Sequence, residues 1–303
     1  MKIFLTGASG YAGFYAALRL VGAGHAVTGV VRHPEQPRLQ ALRAREVKLI
    51  HGDVAEPATY RSELEACDAI VHTMLDKKRH FDTDRTFFAE IEALSPRVKR
   101  RRLVYTTGVS IIGKVDVPEL DETIEPNPAQ PISFRRKLEH EAFALKNVST
   151  AVLRPGFIFG NDGFNSISTD WFAMAEQGDA TFRGDRDKGW SWIHVDDLAD
   201  AYRLAVEADE SAVNGEIFHI VDEHRVRCVD VMKTCMRVAG HTGDIRFEPP
   251  VKGDNISMWF DQNAYSSSRK ARERLGWRSR HDSVIDSADR LYTSWKAAQA
   301  AFA

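Results

Sequence analysis

Thr6-Gly7-Ala8-Ser9-Gly10-Tyr11-Ala12-Gly13 decides the reading of this chain, because its three glycines stand between a strand-like run and an amphipathic one. Lys2 to Thr6 precedes the loop as a short apolar run, Tyr11 to Gly22 follows with helical periodicity, and Ala26 to Val31 is strand-like again. Together they form a βαβ unit. In such a unit small residues let the backbone approach a pyrophosphate, and the helix N-terminus offers unpaired N–H groups and the positive end of its dipole. The last glycine lets the helix pack closely on the sheet. Gly7, Ala8, Ser9, Gly10, Tyr11 and Gly13 are therefore candidate cofactor-binding residues. The loop alone is a weak sign, but Gly52-Asp53-Val54 follows the third strand, where Asp53 and Val54 can meet an adenine.

At the end of the second strand, where an Asp or Glu would accept the ribose hydroxyls of NAD, the chain reads Val30-Val31-Arg32-His33. A guanidinium at Arg32, with Arg38 as a second cation, suits a 2′-phosphate, so the expected cofactor is NADP, with NAD left open.

Working outward, further strand-like runs at Val47 to Ile50, Ala69 to His72, Leu103 to Thr107 and Thr150 to Leu153 alternate with helical segments. That is the pattern of an α/β, doubly wound parallel sheet of Rossmann type. After Leu153 the regularity breaks. Gly156, Gly160, Gly163, Gly178, Gly184 and Gly189 punctuate a stretch rich in Phe and Trp, which predicts a loop-rich lobe over the carboxyl ends of the strands. The basic run Arg97 to Arg102 reads as a solvated helix end, and Ser266-Ser267-Ser268 as a mobile segment.

Composition narrows the classes. The 303 residues carry 41 Lys+Arg against 43 Asp+Glu, a net charge of −2, so neither a nucleic-acid surface nor an acidic tail is indicated. No run approaches the ~18 apolar residues of a membrane helix, and Lys2 leads straight into a strand with no signal-peptide pattern, so a cytoplasmic protein with no membrane partner is expected. Cys67, Cys228 and Cys235 are odd in number and lack metal-ligand spacing, so no disulfide or metal centre is read from them.

With the glycine loop, Gly52-Asp53-Val54, Ile70-Val71-His72, Val104-Tyr105-Thr106-Thr107, Leu153-Arg154-Pro155-Gly156 and Ile193-His194-Val195-Asp196-Asp197-Leu198-Ala199 in order, the chain resembles the extended short-chain dehydrogenase/reductase family, also called NAD-dependent epimerase/dehydratase. The resemblance runs from Met1 through Leu275-Gly276-Trp277. It implies an NAD(P)-binding Rossmann domain over 1–155, to which 190–222 return, and a smaller substrate lobe from 156–189 and 223–303. It also implies that Lys137, Pro155 and, by its backbone, His72 line the cofactor cleft, and that a Ser/Thr-Tyr-Lys group does the chemistry. A homodimer is left open.

On this chain the catalytic group is degenerate. Taking Lys137 for the lysine puts Ser133 in the tyrosine's place, and counting back from Gly113 puts Gly108 in the hydroxyl's place, with Thr107 adjacent. An alkanol near pKa ~16 needs ~9 units of help to titrate at pH 7, where a phenol near ~10 needs ~3. One neighbouring cation supplies ~1 to 3. Ser133 is thus a poor acid or base, and Lys137, Ser133 and Thr107 are kept as candidate catalytic residues in positioning roles. The literal Tyr292-Thr293-Ser294-Trp295-Lys296 lies far along the C-terminal segment and is set aside. Relatives that bind nucleotide sugars carry an Arg four residues before the His of His-Val-Asp-Asp; here that position is Trp190, which cannot neutralise a diphosphate. The expected function is an NAD(P)-dependent oxidoreductase acting on a small apolar or aromatic carbonyl or alcohol. A non-redox isomerase, lyase or cyclase and a cofactor-sensing regulatory protein are the alternatives.

Overall fold

The computed structural model describes residues 1–76, 79, 81–129, 132–251 and 255–302. Its first elements, β1 (Lys2–Thr6), α1 (Tyr11–Gly22) and β2 (Ala26–Val31), fall where periodicity puts them. They are followed by α2 (Gln40–Arg43), β3 (Lys48–His51), α3 (Arg61–Ala66), β4 (Ala69–His72), α4 (Phe81–Glu92), β5 (Arg101–Thr106), α5 (Arg135–Ala144) and β6 (Val148–Pro155). Beyond these come β7 (Phe157–Phe159), α6 (Ile167–Glu176), β8 (Thr181–Arg183), β9 (Gly189–Trp190), β10 (Trp192–His194), α7 (Val195–Glu207), α8 (Glu210–Val213) and β11 (Glu216–Ile220). The chain ends with β12 (Val226–Arg227), α9 (Cys228–Val238), β13 (Arg246–Glu248), α10 (Asn255–Trp259), α11 (Arg269–Leu275) and α12 (Ala288–Phe302).

Seven parallel strands form the central sheet in the order β3-β2-β1-β4-β5-β6-β11. The order reverses between β1 and β4, and at such a switch point an α/β sheet opens a crevice for a ligand at the carboxyl ends of its strands. Alternation along each strand divides its side chains between two cores. Ile3 and Leu5 of β1 pack with α1, α7 and Trp277, while Phe4 between them faces Tyr60, Phe87 and Leu138 on the other side. A third core, of Phe159, Trp171, Phe172, Phe182, Trp190, Trp192 and Phe260, fills the loop-rich region, where three two-stranded pairs, β7–β10, β9–β12 and β8–β13, replace the regular sheet.

Two sequence expectations are corrected. The Arg97 to Arg102 run is not a solvated helix end, since β5 begins inside it and Arg101 is fully buried, its guanidinium donating to the carbonyls of Glu65, Cys67 and Ser95 at 2.8 to 3.2 Å. Those carbonyls end α3 and follow α4, so the arginine completes helix termini that the dipole already favours for a cation. Ser266 and Ser268 are not mobile either: both are buried, Ser266 N–H donating to Ser191 Oγ at 2.7 Å and Ser268 Oγ accepting from Val221 N–H at 2.8 Å. Cys67, Cys228 and Cys235 are buried and unpaired. Among the described residues no helix is long and apolar enough to cross a membrane.

Candidate active site

The glycine loop closes as a cradle. Gly7 has φ +78°, and a Cβ there would stand 2.6 Å from Thr73 Oγ1 and 3.0 Å from Met74 N. A Cβ on Gly13 would overlap the Gly7 carbonyl oxygen. No side chain caps α1 at Gly10, and no acidic residue lies in its first turn, so the N–H groups of the helix start are left to a ligand. These residues fit a dinucleotide's pyrophosphate. Ala8 is buried within the loop, while the Tyr11 hydroxyl is spent on the Gly160 carbonyl, where burial holds its pKa well above that of a free phenol.

Around the loop the other candidates sort themselves. Val54 is buried, and Asp53 Oδ1 accepts from Ala55 N–H at 2.9 Å with Arg79 Nη1 3.6 Å from Oδ2. Arg32 is exposed at the end of β2. Arg38, expected as a second cation beside it, is committed elsewhere: it is buried against Phe14, pairs with Asp162 at 2.8 Å and donates to Ser9 O at 3.1 Å. The His72 ring lies in the core, with Nδ1 2.9 Å from Thr6 Oγ1 and Nε2 3.3 Å from Asp84 Oδ1, which leaves only its backbone at the carboxyl end of β4. Tyr105 donates to the same Asp84 oxygen at 2.7 Å. Burial pushes the Asp84 carboxyl upward, but these contacts outweigh it and hold the group below the usual carboxylate range. Asp76 accepts from Arg79 N–H and Thr83 Oγ1, both at 3.1 Å, at the start of α4. Tyr292 and Lys296 both bond Glu176 of α6 at 2.9 Å, far from the strand ends.

The largest departure concerns α5. Its buried face is Arg135, Leu138, Glu139 and Ala142, as expected for a helix advancing about 100° per residue. Lys137 lies roughly 200° from Arg135 on that wheel and is exposed. Ser133, one turn before it, donates to Pro128 O at 3.3 Å within its own loop. Among the described residues no hydrogen bond joins Lys137 or Ser133 to Thr107. Glu139 stands beside Thr107 instead, accepting from its Oγ1 at 2.6 Å and, bidentately, from Arg154 at 2.9 and 2.5 Å. Arg135, 5% exposed, is the cation that reaches the carboxyl end of β5, donating to Thr106 O at 2.7 Å while its Nε has no hydrogen-bond partner. Pro155 ends β6 beside this group. The signal for Arg135 was present in the spacing of Leu138 and Ala142, which extends back to 135 and excludes 137.

Near α7, His194 and His281 stack face to face, 3.7 Å apart and 7° from parallel. Asp196 brings a carboxylate close enough that one ligand atom from each of the three lies within 4.8 Å of the others. Imidazole lone pairs lie in the ring planes, however, and no single ion can lie in two parallel planes, so the pair suits a neutral stack better than a metal. His194 Nδ1 instead caps α7 by accepting from Asp196 N–H at 3.2 Å. Burial first, then His281, lowers its pKa to about 4. The native state therefore refuses a proton that the unfolded chain takes from about pH 6.5 downward, and stability falls as pH drops from there toward 4. Asn also caps helices, so His194→Asn is expected to make that decline shallower by up to about 1.4 kcal/mol per pH unit. Urea unfolding at several pH values measures it, and equal slopes for the two proteins would show that the native ring protonates freely.

The sequence model of the NAD dependent epimerase/dehydratase family matches residues 3–220. A UDP-glucose 4-epimerase from Corynebacterium glutamicum is 25% identical, over 93% of this chain and 92% of its own. A 4-hydroxy-2-methyl-3-oxo-4-farnesyl-3,4-dihydroquinoline-1-oxide ketoreductase from Stigmatella aurantiaca is likewise 25% identical, over 86% and 81%. Among solved structures, a UDP-glucose 4-epimerase from Stenotrophomonas maltophila with bound NAD and formylated UDP-arabinopyranose superposes over all of both chains with a TM-score of 0.82 at 17% identity.

Proposed function

Since the chain belongs to the NAD-dependent epimerase/dehydratase family, we propose that it is an oxidoreductase that uses NADP to interconvert a small apolar or aromatic carbonyl and its alcohol. The cofactor, when bound, supplies or accepts a hydride. Gly7 to Gly13 would hold its pyrophosphate, Asp53 and Val54 its adenine, and Arg32 a 2′-phosphate. Lys137, on the exposed side of α5, would hold the cofactor's ribose, and Arg135 buttresses the end of β5 through the Thr106 carbonyl.

The observation that carries the substrate class is Trp190. It is 1% exposed, stacked on Phe157 at a centroid distance of 4.4 Å, with its Nε1–H donating to Trp259 O at 2.7 Å. An indole locked into the lobe's core puts no cation where the sugar-nucleotide relatives place an arginine, which supports an uncharged substrate over a diphosphate. The ketoreductase named above, whose substrate carries a farnesyl chain, is a relative with the same kind of chemistry.

Fluorescence titration with NADPH and NADH is expected to favour NADPH, and Arg32→Asp to reverse or abolish the preference, the 2′-phosphate then meeting a carboxylate. Equal affinities in the unchanged protein overturn the NADP assignment. Loss of reduced-cofactor absorbance with benzaldehyde, acetophenone or 2-nonanone tests the reaction. Saturable micromolar binding of UDP-glucose, read as protection against thermal unfolding, would overturn the substrate class.

A further inference from the structure

We infer that a cavity beyond the carboxyl end of β11, apart from the cofactor and substrate residues, binds an aliphatic primary amine through the carboxylates of Asp222 and Glu122. The cavity measures about 880 Å³, a size that holds a small organic ligand. None of the residues assigned above to cofactor or substrate lines it. Six carboxyl groups border it against four lysine and arginine side chains, and those cations are already spent. Arg225 pairs with Glu119, Arg272 with Glu223, and Lys270 with Glu216 at 2.7 Å, while the exposed Arg269 acts on Asp121. Among the described residues no lysine or arginine forms a salt bridge with Asp222 or Glu122.

Asp222 is the deeper of the two. It is 4% exposed, its Oδ1 accepts from His224 N–H at 3.2 Å, and its Oδ2 has no hydrogen-bond partner. Burial pushes its pKa up to about 7 against the pull of the His224 N–H, and the Asp197 carboxylate adds to the rise. Glu122 accepts from His219 N–H at 2.8 Å and is likewise pushed upward by burial. A buried carboxylate without a counter-charge is costly, and an ammonium group removes that cost by pairing with it. A hard metal ion suits the place less well. Ca²⁺ and Mg²⁺ take six or more oxygens, yet the serine hydroxyls of the wall are engaged, Ser266 Oγ with His219 Nδ1 and Leu120 O, Ser268 Oγ with the N–H and carbonyl of Val221. An ammonium needs only acceptors for its three N–H groups, and the cavity has room for the alkyl chain behind it. Two carboxylates in one cavity also suit two ammonium groups on one chain, so a diamine should bind more tightly than a monoamine.

The experiment is isothermal titration calorimetry of the full chain at pH 8, where Asp222 is ionised, in about 0.15 M NaCl to screen exposed carboxylates. The probes are putrescine, n-butylamine, tetramethylammonium and Mg²⁺, each tried on the wild type, Asp222→Asn, Glu122→Gln and Asp289→Asn, the last an acid outside the cavity. Putrescine is expected to saturate one site per chain and to bind at least about tenfold more tightly than n-butylamine. Tetramethylammonium, with no N–H to donate, should not bind. Asp222→Asn should abolish putrescine binding, Glu122→Gln should bring it down to the level of n-butylamine, and Asp289→Asn should change nothing. Both amides can still accept from the His224 and His219 N–H groups, so the variants are expected to fold. On the unchanged protein, putrescine but not tetramethylammonium should raise the thermal unfolding midpoint, a readout that needs no variant. Absence of saturable putrescine binding, or binding that survives Asp222→Asn in the folded protein, overturns the assignment. Mg²⁺ binding more tightly than either amine, and lost in Asp222→Asn, overturns the amine as the ligand.

Discussion

Glu139→Gln is expected to lower the unfolding free energy by about 3 to 5 kcal/mol, because it leaves the Arg154 guanidinium buried without its counter-charge. Neither partner is more than 1% exposed, and Arg154 reaches both carboxylate oxygens. The His219 imidazole, whose Nε2 lies 3.5 Å from Arg154 Nη1, offers no anion in its place: burial, then Arg154 itself, holds it neutral. Replacing both partners with apolar residues, Glu139→Leu with Arg154→Met, should cost much less than the single change, since no charge is then stranded. Urea unfolding at pH 7 measures both. A loss below about 1 kcal/mol for Glu139→Gln would mean that water reaches the pair and compensates it.

Gly13→Ala is expected to abolish high-affinity cofactor binding, with a loss of more than 100-fold, or about 2.7 kcal/mol. The added methyl would overlap the Gly7 carbonyl oxygen and stand 2.6 Å from Thr73 Oγ1, so α1 must move away from the loop whose N–H groups it presents. Gly22→Ala, at the other end of the same helix, meets nothing within 4 Å and should leave affinity unchanged. Fluorescence titration with NADPH separates the two, and full affinity in Gly13→Ala would show that the loop tolerates a displaced helix.

The half of the chain that is regular was legible, because in β1, α1 and β2 polarity and burial agree. At α5 they do not. Its inward face carries Arg135 and Glu139, residues a polarity pattern sends to the surface, and only Leu138 and Ala142 mark it apolar. The same inversion hid Arg101, whose burial is made possible by three carbonyls brought together from α3 and the end of α4, partners that no local pattern announces. Trp190 shows the reverse case. Its indole is read from sequence only for the charge it lacks, and it proves to be packed into the core of the lobe, its ring against Phe157.

The core that begins with Ile3 and Leu5 is closed by Ala271, Leu275 and Trp277, and Trp277 anchors there by donating its Nε1–H to the carbonyl of Asp197 at 2.8 Å. During synthesis at roughly 5 to 20 residues per second, the first strand therefore waits on the order of 15 to 55 s for its last packing partner to be made. The nascent segment carrying β1 spends that interval with an incomplete apolar face beside α7. Loss of Trp277 would therefore show itself as a defect around β1, more than 270 positions away along the chain.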